Sequence, residues 1–134
     1  MGLARSKNNK KTTLSNKAHN LWKEVCWEMY GDRCEICGVK AGAIHHLIFK
    51  SKSRNLAYDV LNGIPVCEQC HSYLHHFVGP KTNEEYMDII FKKRGEWQRE
   101  YLTKNTSAPS GYTVTWLKEQ IEYLKEIKES LKIK

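Results

Sequence analysis

Two pairs of cysteines in the 134-residue sequence have the spacing of metal ligands. Cys34 and Cys37 form one Cys-x-x-Cys pair, and Cys67 and Cys70 form the other. A zinc ion bound by four thiolates requires two short turns that each contribute two sulfurs to a tetrahedron. The segment between the pairs exceeds the usual spacing of about 15 to 20 residues, so it has room for two strands and a loop. The pattern predicts a structural Zn²⁺ site.

Four of the six histidines lie inside or directly beside the same segment. His71 and His75 are four residues apart, so a helix would place them on one face. His45 and His46 are neighbours on an expected strand, and their side chains should point to opposite sides. One of these two can join the helical pair at a metal ion. The other would remain a free imidazole, which is a competent general base near neutral pH.

The elements that must position these groups make an α+β zinc module, a two-stranded hairpin followed by a helix. Asn62-Gly63 is a strong turn signal, and Pro65 places the second strand at an edge. The helix brings His71 and His75 next to the second cysteine pair. The expected elements are a strand at 43–49, a polar loop at 50–55, a strand at 64–66 and a helix at 68–77.

Amphipathic helices are expected on both sides of this module. Apolar residues recur at helical spacing from Ser15 to about Gly31, which can supply a left-handed cap. A capping box of Thr82 and Glu85 opens another helix, which Gly95 can weaken or kink.

The carboxyl-terminal part begins with loop composition at 105–111 and continues as a helix from about Thr115. Its stripe suits a core or a self-association face and consists of Leu117, Ile121, Leu124, either Ile127 or Lys128, and Leu131. We therefore divide the chain into a flexible basic arm at 1–14, a domain at 15–104, and a loop with a C-terminal amphipathic helix at 105–134.

The chain is basic, with 22 Lys and Arg against 15 Asp and Glu and a net charge of +7. Positive charge is concentrated at the amino end, before the first acidic residue, Glu24. This charge suits an anionic partner without identifying one, and a solvated tail and a solvated loop are the alternatives. The candidate contacts come from the amino end and from the loop at 50–55, and they are the expected DNA contacts if the partner is nucleic acid: Arg5, Lys7, Lys10, Lys11, Lys52 and Arg54.

The cysteine chemistry and the hydropathy indicate an intracellular, cytoplasmic protein. No apolar run approaches the roughly 20 residues that cross a bilayer, and residues 1–20 lack the apolar segment of a signal peptide. Paired cysteines in a reducing compartment are metal ligands rather than disulfides, which leaves Cys26 as a core residue. Cys67-x-x-Cys70-His71 also matches a c-type haem attachment motif, which would require an oxidising compartment.

Residues 34–76 resemble the HNH endonuclease family, also called the ββα-metal nucleases. The resemblance rests on CEICG at Cys34, HHLI at His45, and NGIPVCEQCH from Asn62, with His75 four residues beyond its last histidine. It implies a ββα fold, with 15–104 as the nuclease domain and 34–77 as its zinc and metal core.

The resemblance also implies a role for each residue of the site. Three imidazoles look like ligands of one catalytic divalent ion, those of His45, His71 and His75, with His76 as a substitute if the helix register differs by one. His46 looks like the general base that activates water, and Asn62 like the residue that pins the loop and orients that base. Imidazole favours Zn²⁺ or Ni²⁺ whereas Mg²⁺ prefers oxygen, and we expect Mg²⁺, Mn²⁺, Ni²⁺ or Zn²⁺.

The expected function is a metal-dependent endonuclease that hydrolyses DNA phosphodiester bonds by a one-metal mechanism. The loop at 54–62 looks like that of phage-type members, which suggests a phage or mobile-element origin. The alternative is a non-catalytic zinc module that binds nucleic acid or a protein partner. The C-terminal stripe could in addition serve a homodimer or a protein partner.

Overall fold

The computed structural model describes residues 2–108 and 112–132, without the side chains of residues 2–9. The described elements, in chain order, are helix α1 Gly2–Tyr30, strand β1 Ala43–His46, strand β2 Gly63–Val66, and helices α2 Glu68–His76, α3 Asn83–Arg94, α4 Glu96–Asn105 and α5 Val114–Lys132. This arrangement confirms the predicted α+β class with a small ββα module flanked by helices. None of the described helices is long and apolar enough to cross a membrane.

Helix α1 is longer than its sequence pattern predicted. It begins at Gly2, so the predicted start at Ser15 is wrong and the segment expected to be a weakly ordered arm is helical. Residues 2–14 contain no proline and several good helix formers, so nothing local stops the helix there. Ser15 does not act as a cap, because its Oγ lies 2.8 Å from Tyr58 Oη and 3.1 Å from Tyr112 Oη. The flexibility of the arm stays a prediction.

Strands β1 and β2 form an antiparallel hairpin in which His45 lies opposite Ile64 and His46 lies opposite Gly63. β1 was expected to continue to Phe49 but ends at His46. In this antiparallel register, residues after His46 would have to pair with residues before Gly63. Those residues, Val60–Asn62, form a 3₁₀ turn and cannot extend β2. Pro65 lies within β2, which a two-stranded sheet tolerates because each strand is an edge.

Helix α2 follows β2 directly, so one short segment delivers both cysteines of the second pair and the helical histidines. Cys67 is its N-cap, and the Cys67 Sγ accepts a hydrogen bond from the Cys70 N–H at 3.4 Å. The helix ends at His76, next to the expected end, and Phe77 closes it in the left-handed conformation. The ββα unit is therefore continuous from β1 to the end of α2.

Helices α3 and α4 contribute to the core that holds the paired cysteines: Ile90 of α3 and Leu102 of α4 belong to it with Cys67 and Cys70. The predicted capping box is present, since Thr82 and Glu85 each bond the backbone of the other. Gly95 adopts a φ of +106° and separates α3 from α4, in agreement with the kink predicted at this glycine. At the end of α3, Arg94 forms a two-pronged ion pair with Glu35, which lies beside Cys34.

Helix α5 packs against α1 within the same chain. Three members of its predicted stripe are buried in a core that α1 shares: Leu117, Ile121 and Leu124. Four α1 residues belong to that core and are fully buried: Ala18, Trp22, Val25 and Cys26. The stripe therefore serves the core, which was one of its two expected roles.

Candidate active site

The four paired cysteines converge beside the hairpin. Their sulfur atoms lie within 4.8 Å of one another, and the Sγ atoms of Cys37 and Cys67 are 3.6 Å apart. Tetrahedral ligation with bonds of about 2.3 Å places sulfurs about 3.8 Å apart, so this cluster has the dimensions of a zinc site. The fifth cysteine, Cys26, is buried in the core as predicted.

Backbone N–H groups favour the thiolate form in the first cysteine turn. Burial raises the pKa of the Cys34 thiol, but N–H groups of Cys37, Cys67 and Ile36 outweigh it and lower that pKa to about 7. Gly38 adopts a φ of +84° and donates to the Cys34 carbonyl at 2.9 Å, which closes the turn. Although the Val39 N–H opposes it, burial and the neighbouring sulfurs of Cys67 and Cys34 raise the pKa of Cys37. Since a metal binds the thiolate rather than the thiol, Cys34 is the residue of this turn that is prepared for a cation.

Three histidines, one from β1 and two from α2, form a second cluster. The ring of His45 lies 5.2 Å from that of His71 and 5.1 Å from that of His75, and the two helical rings are 4.6 Å apart. One ligand nitrogen from each lies within 4.8 Å of the others. His76 is exposed and lies outside the cluster, so the structure favours His75 over this substitute.

The side chain of His46 diverges from that of His45, as alternation along a strand requires. Its ring stacks on the indole of Trp22 at 4.0 Å and 12°, and the ring of His19 lies 5.9 Å from it. The Nε2 atom of His46 lies 2.8 Å from the carbonyl oxygen of Ala57. Because a carbonyl only accepts, Nε2 carries the proton and Nδ1 keeps its lone pair.

Asn62 is fully buried and ties the loop after β1 to the start of β2. Its Oδ1 accepts from the Ile48 N–H at 2.7 Å, and its Nδ2 donates to the carbonyls of Ile48 at 2.9 Å and Leu56 at 3.0 Å. Leu56 directly precedes Ala57, the acceptor for His46. Asn62 thus bonds the residue that precedes the acceptor of the His46 hydrogen bond.

The three clustered histidines and His46 line one shared cavity of about 440 Å³. His45, His46, His71 and His75 all line it, together with His19, Lys50 and Ser51. Two pKa values in the cavity are strongly lowered. Burial, with the neighbouring histidines, lowers the pKa of His45 to about 3, and burial lowers that of His46 to about 4 despite the Ala57 carbonyl. Both imidazoles are therefore neutral at pH 7.

The residues expected to contact DNA lie in different places. Arg5 and Lys7 lie outside the described side chains, whereas Lys10 is exposed on α1. Lys52 is exposed in the loop after β1. The guanidinium of Arg54 lies 4.6 Å from the ring centre of Tyr112, and neither Arg54 nor Lys11 lines the 440 Å³ cavity.

Residues outside the paired motifs complete the site and were not predicted from the sequence. His19 and Trp22 come from α1, and Lys50 comes from the loop after β1. One face of α1 carries His19, Trp22 and Cys26. A polar histidine on this otherwise apolar stripe was the sequence feature that could have indicated His19 as a site residue. The Ala57 carbonyl had no signal, because every residue carries one.

Comparison with known proteins agrees with the resemblance in the sequence. Residues 34–77 match the model of the HNH endonuclease family, which confirms that resemblance. A mitochondrial DNA mismatch repair protein, a mutS homolog of Sarcophyton glaucum, is 40% identical over 52 residues. The match spans 36% of this chain and 5% of that relative, so the similarity concerns a small part of it. No solved structure matches the chain significantly.

Proposed function

We propose that this protein is a metal-dependent DNA endonuclease. The observation that carries the proposal is the divergence of two adjacent histidines, His45 toward His71 and His75, and His46 toward Trp22 and a backbone carbonyl. Separate ligand and base positions around one cavity are what hydrolysis of a phosphodiester requires. The match of residues 34–77 to the HNH family and the similarity to part of a DNA mismatch repair protein support DNA as the substrate.

The chemistry of the three clustered imidazoles fits a divalent cation. The Nδ1 atom of His45 is buried and has no hydrogen-bond partner among the described residues, as a nitrogen kept for a metal would be. His45, His71 and His75 would hold a divalent ion, which would supply charge stabilisation for the phosphate and for the departing 3′ oxygen. We assign Mg²⁺, Mn²⁺, Ni²⁺ or Zn²⁺ to this position and a structural Zn²⁺ to the four cysteines.

His46 is the proposed general base. Its Nε2–H is engaged by Ala57, so Nδ1 is the atom that takes a proton from the attacking water. Burial lowers the pKa of His46 to about 4, which keeps the imidazole unprotonated, and an anionic phosphodiester in the cavity would raise that pKa. The base is therefore ready before substrate binds and becomes stronger when substrate is present.

Further proposals concern Asn62, the surrounding cations and the location of the protein. We propose that Asn62 acts indirectly by holding the Leu56–Ala57 segment in place. Lys52, Arg54 and the cations of α1, Arg5, Lys7, Lys10 and Lys11, would contact phosphates along the DNA. Four cysteines arranged as metal ligands suit a reducing compartment, so we place the protein inside the cell, in the cytoplasm. A phage or mobile-element origin stays a proposal.

A cleavage panel tests this function. Purified protein is incubated with supercoiled plasmid and Mg²⁺, Mn²⁺, Ni²⁺ or Zn²⁺. Wild type should nick or cut the plasmid with at least one ion, and His46→Ala should be slower by about 10² to 10⁴, the usual contribution of a general base. His75→Ala should lose both activity and one equivalent of bound metal.

The matched control is His76→Ala, an exposed histidine on the same helix that lies outside the cluster. It should cut like wild type and retain its metal. The alternative function, a non-catalytic zinc module that binds nucleic acid or a protein, is favoured instead if no ion supports cleavage or if His46→Ala cuts as fast as wild type.

A further inference from the structure

An exposed aromatic residue lies where helix α2 ends, one residue beyond His76. Phe77 is 64% exposed, and its backbone adopts a φ of +55°, a left-handed conformation that suits glycine and is unusual for a bulky side chain. It is the only non-glycine residue with positive φ in the described part of the chain. A strained, exposed phenylalanine beside a candidate active site points to a function outside the protein core.

Phe77 belongs to an aromatic surface that begins at the histidine cluster. The ring of Phe49 stacks on that of His75 at 5.2 Å and 16°, and the ring of Phe77 lies 6.3 Å from that of Phe49. The two phenylalanines line a pocket of about 180 Å³, and His45 also lines it. Because His45 borders both spaces and His46 does not line this pocket, the pocket adjoins the proposed ion position.

The rim of this pocket carries positive charge. Lys52 lines the pocket and is exposed, and Lys50 lines the neighbouring catalytic cavity. The apolar wall consists of Leu47, Ile48, Leu74 and Met87 in addition to the two phenylalanines. An apolar pocket with aromatic faces and flanking lysines matches what a nucleotide offers, a flat base with a phosphate on each side.

We propose that this pocket binds an unstacked nucleobase, so that the preferred substrate is single-stranded or locally unpaired DNA. The proposal rests on the proposed nuclease function, because it places the base next to the phosphate that is cut. In a continuous duplex every base is stacked between its neighbours, and only an unpaired base can present its face to Phe77 and Phe49 cheaply. A fully paired duplex would leave the aromatic pocket unused.

The test measures binding rather than cleavage. Fluorescein-labelled DNA duplexes, either fully paired or with one unpaired adenine, are titrated with zinc-loaded protein carrying His46→Ala, and anisotropy is followed. This background should bind the unpaired duplex about tenfold more tightly, because stacking of one base on an aromatic side chain has about that value. Adding Phe77→Gly should abolish the preference, and adding Phe77→Tyr should keep it.

Two controls separate loss of stacking from damage to the fold. Phe77→Gly should melt at or above the temperature of the background protein, since glycine adopts the left-handed conformation without strain. Trp97→Ala removes another exposed aromatic, which is 59% exposed on α4 and does not line the pocket, and should leave the preference unchanged.

Equal affinity of the background protein for the two duplexes overturns the proposal, as does a preference that survives Phe77→Gly. Because binding is measured without turnover, absence of cleavage by wild-type protein would sink the proposed nuclease function alone. A retained, Phe77-dependent preference would then still establish the base-binding pocket.

Discussion

Replacement of Asn62 by alanine should lower the free energy of unfolding and also slow cleavage. The side chain is fully buried and makes three hydrogen bonds to the backbone of Ile48 and Leu56. Each such bond contributes about 0.5 to 1.5 kcal/mol net, so their loss should cost about 3 kcal/mol.

The assay is urea unfolding followed by far-UV circular dichroism, with zinc present throughout. Asn55→Ala is the matched control, because Asn55 belongs to the same loop and makes one hydrogen bond, from Nδ2 to the Asn105 carbonyl at 3.2 Å. It should lose about 1 kcal/mol. A third variant, Asn62→Asp, keeps the size of the side chain but turns a carboxylate oxygen toward two carbonyls, and it should be at least as unstable as Asn62→Ala.

Cleavage is then compared at a temperature where every variant remains folded. Asn62 holds Leu56, and the next residue, Ala57, accepts the hydrogen bond from His46. Loss of that restraint should misorient the base, so Asn62→Ala should cut more slowly than Asn55→Ala even when both are fully folded. A destabilisation below about 1 kcal/mol, or equal cleavage by the two variants, would refute this reasoning.

Three further changes test other parts of the structure. Gly63→Ala would place a Cβ 2.6 Å from Cys26 Sγ and 2.9 Å from Trp22 Cζ2, so thermal melting should show a loss of about 1 to 3 kcal/mol, part of which the second change Cys26→Ala restores. Glu35→Gln leaves the guanidinium of Arg94, a side chain that is only 7% exposed, without its charge partner. Urea unfolding should show a loss of about 3 kcal/mol in the free energy of unfolding. The control Glu84→Gln, which changes an exposed residue, should not show this loss. Removal of zinc with a strong chelator should expose the segment 34–70 to protease, and so should Cys70→Ser, whereas wild type with zinc should resist digestion. Equal digestion of all three samples would contradict a structural zinc.

Local spacing predicted most of the residues brought together at the site. A Cys-x-x-Cys turn and a pair of histidines four residues apart on a helix have geometries that the backbone sets over a few bonds, so no tertiary information is needed to group them. The opposite directions of His45 and His46 follow in the same way from alternation along a strand. The capping box of Thr82 and Glu85 and the break at Gly95 are equally local, and the structure has both.

Features that depend on distant parts of the chain were missed or misassigned. The Asn62-Gly63 pair was interpreted as a turn, but Gly63 begins β2 with a φ of −116° and is required because Trp22 and Cys26 of α1 lie against it. The predicted helix start at Ser15 was wrong. The Ser15 hydroxyl does not cap the helix but contacts Tyr58 and Tyr112, which lie 43 and 97 residues further along the chain. Neither contact leaves a mark in the neighbouring sequence.

By itself, the sequence determined which side chains could bind metal and in which local groups they come. Only the tertiary structure decided which nitrogen of His46 keeps its lone pair, because that depends on the Ala57 carbonyl and on Trp22 of α1. It also decided that His19 joins the cavity and that the stripe of α5 is buried against α1. The physical reason is that ligand spacing is a property of a few consecutive residues, whereas burial, stacking and a hydrogen bond to one particular carbonyl depend on the packing of segments far apart in the chain.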